Sequence, residues 1–85
     1  MIENYMLYPA TITQLVQELR RACDDYNARR ITNNDFRELV LYYAQEHPEK
    51  IFAGDDYNPT LQIKLGKKRM TMLEKMLEGY QFKIS

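Results

Sequence analysis

The chain has 85 residues, with 12 basic and 12 acidic side chains, one histidine, one cysteine, seven tyrosines and no tryptophan. That length allows one domain with one modest core, and a 45% hydrophobic share is enough to fill it, which excludes a disordered chain. Balanced charge argues against capture by nucleic acid or membrane through bulk attraction, and no apolar run approaches the roughly 20 residues that cross a bilayer.

Residues 1–10 lack helical spacing. Tyr5, Leu7 and their neighbours suit a short strand or an extended arm that Pro9 stops. Such an arm needs cover, from its own core or from a second subunit. Thr11 then opens a helix, and Gln14 three residues on completes a capping-box pattern. Ile12, Leu15, Val16, Leu19, Cys23 and Tyr26 mark one face to about Arg29. Cys23 on that face reads as a small buried thiol, because a catalytic thiolate needs a base and His47 has no evident reason to lie beside it. A lone cysteine without a secretory signal points to the cytosol.

A second capping pattern, Thr32 with Asp35, opens a helix whose apolar face is Phe36, Leu39, Val40, Tyr43 and Ala44. It runs to about Glu46, since Pro48 disfavours helical geometry at His47. His47 therefore reads as a helix-end residue. Residues 48–57 form a loop in which Ile51 and Phe52 enter the core and Ala53-Gly54-Asp55-Asp56 turns the chain. The paired acids lack the alternating ligands and closing glutamate of a calcium loop.

The longest helical signal follows. Asn58 and Pro59 mark its start and Gly79 its end. Ile63, Gly66, Met70, Leu73 and Leu77 share one face, Leu61, Leu65, Met72 and Met76 widen it, and Gly66 on that face implies close approach by another helix. Lys64, Lys67, Lys68 and Lys75 fall on the opposite face as a basic strip. Beyond Gly79, Tyr80, Phe82 and Ile84 alternate with polar residues in a strand pattern that could pair with the N-terminal arm.

Charge is segregated. Residues 33–56 carry six acids against two bases, and residues 57–85 six bases against two acids. The expectation is that the two segments neutralise each other within the fold. One histidine, one cysteine and a single serine at position 85 leave almost no nucleophile–base pair and no zinc set, so no enzyme, metal or cofactor is expected. Ile63-Lys64-Leu65-Gly66-Lys67-Lys68 lacks the upstream glycine and the hydroxyl of a phosphate loop.

Thr11-Ile12-Thr13-Gln14-Leu15-Val16 with Asp25-Tyr26, Lys50-Ile51-Phe52 with Asn58, and above all Leu65-Gly66-Lys67-Lys68-Arg69 resemble a family of short, uncharacterised proteins from Firmicutes. The resemblance covers about residues 11–78. It implies a bacterial, cytosolic protein and carries over no active site.

The expected fold is mostly α: a three-helix domain, with helices at about 11–29, 33–46 and 59–78, and extended termini that can pair as a two-stranded ribbon. The expected function is non-enzymatic contact with protein, with a homodimer through Tyr5, Leu7, Tyr80 and Phe82 as one form of it. The alternative is weak, sequence-nonspecific nucleic-acid binding by Lys64, Lys67, Lys68 and Lys75.

Overall fold

Thr11 has extended backbone, and its hydroxyl accepts from the Gln14 amide at 3.2 Å, which starts helix α1 at Ile12–Asn27. The reciprocal half of the box is shifted by one residue: Gln14 Oε1 accepts from the Ala10 amide at 2.8 Å, not from Thr11. At the far end Arg29 takes a left-handed φ of 62°. The Arg29 amide then donates to Tyr26 O and the Arg30 amide to Asp25 O, which closes the helix before the expected Arg29.

Helix α2, Asn33–Glu46, opens with the complete Thr32–Asp35 box, and His47 caps its end as the following proline requires. A one-turn helix α3, Pro48–Ile51, leads into a hairpin of β1, Phe52–Ala53, and β2, Asp56–Tyr57. The strands are antiparallel, with Phe52 opposite Tyr57, and Gly54 supplies the positive φ of the turn. Helix α4, Pro59–Leu65, is capped by Asn58, whose side-chain oxygen accepts from the Thr60 and Leu61 amides. Helix α5 is Lys67–Met76.

The computed structural model describes residues 2–79. It is mostly helical, as expected, with two corrections. The single third helix is broken at Gly66 into α4 and α5. The two-stranded element lies at residues 52–57, while the arm holds a short 3-10 turn at Ile2–Asn4 and no strand. The expected strand of Tyr80, Phe82 and Ile84, and with it the ribbon between the termini, lies outside the described residues.

One apolar cluster joins the elements. Leu15 and Leu19 of α1, Phe36, Leu39 and Tyr43 of α2, and Leu61, Leu65 and Leu73 of α4 and α5 are at most 1% exposed. Each such side chain contributes about 1.5–3 kcal/mol relative to an exposed one. α1 packs on α2 and α4, and α2 packs on α5. The break at Gly66 changes the phase of the apolar face, so that Leu61 and Leu65 turn inward while Ile63, expected inside, is 81% exposed.

Candidate functional site

The corner at Gly66 gathers what the sequence singled out. Gly66 has φ 89° and ψ 159°, a conformation open to glycine and strained for other residues. Its amide closes α4 on Gln62 O, and its carbonyl accepts the first bond of α5 from Met70. A side chain added there would meet no atom within 4 Å. Backbone conformation therefore requires this glycine, and the expected close approach of another helix is not the reason.

Because α5 starts here without a side-chain cap, the amides of Lys67, Lys68 and Arg69 have no acceptor within the helix. The first turn holds no acid. Three cations thus sit at the positive end of the helix dipole, each costing about 0.3–1 kcal/mol where a carboxylate would stabilise. Lys64 lies in the last turn of α4, on the other side of the glycine. Lys75 shares a face of α5 with Lys67 and lies about 12 Å further along the axis at 1.5 Å per residue.

Lys64, Lys67, Lys68 and Lys75 are all exposed, and none makes an ion pair with another described residue. The ion pairs among the described residues use other bases: Arg21 with Glu18, Arg30 with Asp25, Lys50 with Glu49, and Arg69 with Asp24 at 3.8 Å. None joins the acidic segment 33–56 to the basic residues after it. The ion pair that α5 makes among the described residues is with α1, through Arg69 and Asp24, while α5 packs on the acidic helix α2 without one. Beneath that pair, burial pushes the Cys23 thiol up to about 11, partly offset by the Arg69 guanidinium. A thiol so protonated and buried suits packing.

The residues expected at a subunit interface lie elsewhere. Tyr5 is buried, donates to Asp25 Oδ2 at 2.6 Å and carries the Arg21 guanidinium over its ring at 4.6 Å. Burial and the Asp25 contact raise its phenol well above the ordinary range. Leu7 is partly buried, and its carbonyl meets His47 Nε2 at 2.9 Å. The Met6 amide donates to Glu18 Oε1 at 2.7 Å, its carbonyl accepts from the buried Tyr43 hydroxyl, and the Asn4 carbonyl accepts from Arg21. The arm is thus covered by its own chain, while Tyr80 and Phe82 lie outside the described residues.

Two features were not foreseen. Met6 and Tyr8 are 47% and 72% exposed, with Tyr8 set edge-on to Tyr42 and His47. A groove lies where α1 turns into α2, at a loop the sequence marked only as a connection. The broken helix had one signal, a glycine in mid-helix; the three bases after it are unfavourable at a helix start and gave no hint of the break.

Among the described residues no group of histidine, cysteine and carboxylate side chains could hold a metal ion, and no helix is long and apolar enough to cross a membrane. No curated protein and no solved structure matches the chain. A family model described as "Conserved hypothetical protein" matches residues 6–78, from the latched arm through the Gly66 corner to the end of α5, and the chain belongs to that family.

Proposed function

We propose that this is a non-enzymatic binding protein that holds nucleic acid weakly, by its phosphates, at the Gly66 corner. One observation carries the reading: Lys64, Lys67 and Lys68, exposed and unpaired among the described residues, lie around an uncapped helix start with no acid in its first turn, and the equally exposed Lys75 continues the strip toward the far end of α5. Such an arrangement is unfavourable for folding and favourable for an anion, which would complete the helix dipole and meet the free amides. The block that carries the Firmicutes resemblance, Leu65 to Arg69, is the same block. The unpaired buried thiol of Cys23 favours a reducing, cytosolic setting.

The test is fluorescence anisotropy with labelled DNA and RNA at low salt. Binding should weaken steeply as salt rises, and Lys67→Glu with Lys68→Glu should abolish it. No binding at low salt, or binding that survives the double variant, would overturn the reading.

Contact with protein, including a second copy of the chain, is the second reading. The exposed Met6, Tyr8 and Ile63 favour it, rather than Tyr5 and Leu7. A light-scattering mass of one chain at micromolar concentration would remove its self-contact form.

A further inference from the structure

Helical spacing places Arg20 one turn before Asp24 and Asn27 about one turn after it, on the side of α1 that meets α5 through Arg69. The acid of that face, Asp24, lies 3.8 Å from Arg69 in a solvent-exposed pair, while Arg20 and Arg29 are exposed without an ion pair among the described residues. Asp25 is likewise engaged, by Tyr5 and Arg30. Arg20 and Arg29 therefore flank the place where Arg69 meets α1, Arg20 about 6 Å before Asp24 along the axis and Arg29 just beyond the helix end.

At the Arg29 end of α1 lies the groove of about 460 Å³ lined by Tyr26, Asn27, Arg29, Ile31, Thr32 and Asn33. Its volume falls within the roughly 300–1,000 Å³ of small-ligand sites. The Tyr26 ring rests on Phe36 at 5.1 Å, and its hydroxyl accepts from Asn33 Nδ2 at 3.3 Å, so the ring is held in place. Asn27 and Asn33 bring amides that both donate and accept, Ile31 an apolar wall, and Arg29 a guanidinium carried on its left-handed backbone. The one acid in the first turn of α2, Asp35, is committed to Thr32.

We propose that this groove is a nucleotide subsite: it takes one base of a single-stranded nucleic acid whose phosphates pass Arg29, Arg20 and the lysines of the Gly66 corner. This rests on the reading above and sharpens it. A duplex keeps its bases stacked and cannot enter the groove, whereas a single strand can place a base against Tyr26 and the asparagine amides.

The experiment compares a labelled 20-nucleotide single strand, its duplex and an abasic strand of the same length, by anisotropy at low salt. The protein should bind the single strand at least about fivefold more tightly than the other two, the lower end for one base on an aromatic ring. Asn27→Ala with Arg29→Gly should erase that preference, and Asn27→Ala alone should reduce it. Circular dichroism melts check that both variants remain folded. Equal binding of all three probes by the unaltered chain, or a preference that survives the double variant, overturns the subsite but leaves phosphate binding at the Gly66 corner standing. Absence of binding to every probe overturns both.

Discussion

The side of the molecule that carries the N-terminal arm and the corner at Gly66 treat polar groups in opposite ways. On the arm side, Glu18, Arg21, Asp25, Tyr43 and His47 each meet a group of residues 4–7. At the corner, Lys64, Lys67 and Lys68 surround an uncapped helix start, and their side chains form no ion pair among the described residues. Polar groups bonded within the chain hold a segment in place, whereas solvent-facing charges are free to meet a ligand. The comparison therefore gives the arm structural work and leaves the corner as the place where binding is proposed, although sequence alone made both look like candidate contact surfaces.

The sharpest way to break that contrast is Tyr5→Ala. Loss of a buried ring, its bond to Asp25 and its stacking with Arg21 should cost about 3–5 kcal/mol in denaturant unfolding. A cost near zero would mean that the arm is not structural. Next comes Gly66→Ala, which should cost about 1–3 kcal/mol because φ 89° strains any side chain. In an unbroken helix the same change would stabilise by about 1 kcal/mol, so its sign decides between one helix and two.

At the corner, Lys67→Glu with Lys68→Glu should raise stability by about 0.3–1 kcal/mol per site while removing ligand binding, because carboxylates suit a helix start. If stability falls instead, the first turn is not where the structure places it. The first turn of α2 is the control, and the smallest effect. Donation from Thr32 holds the Asp35 carboxyl below its ordinary value of 3.8. That contribution is fully present above the ordinary value and is lost as pH falls through the lower folded one. Asp35→Asn should therefore lower the melting temperature at pH 7 and flatten its decline in acid.

Local sequence signals were enough where short-range chemistry decides. Thr11, Thr32, Asn58 and Pro48 set helix boundaries within one chain turn, and the spacing of Phe36, Leu39, Val40 and Tyr43 defined a buried face. The basic residues of the site were also legible, as a run beside a glycine. What was not legible depends on contacts between distant residues. No local pattern reveals that Tyr5 reaches Asp25, or that Arg69 reaches Asp24 rather than an acid of segment 33–56.

Gly66 lies on the boundary between the two. Its presence in the chain was evident, and its helical surroundings implied a packing role. Only the fold decided that Leu61 and Leu65 should face α1 while Met70 and Leu73 join the same core from a second axis, which needs a change of phase between them. A glycine at positive φ provides that change. Composition and periodicity determined that this chain is a small helical protein with a basic C-terminal region. Tertiary structure decided which charges are neutralised and which remain exposed, because neutralisation depends on which helices meet.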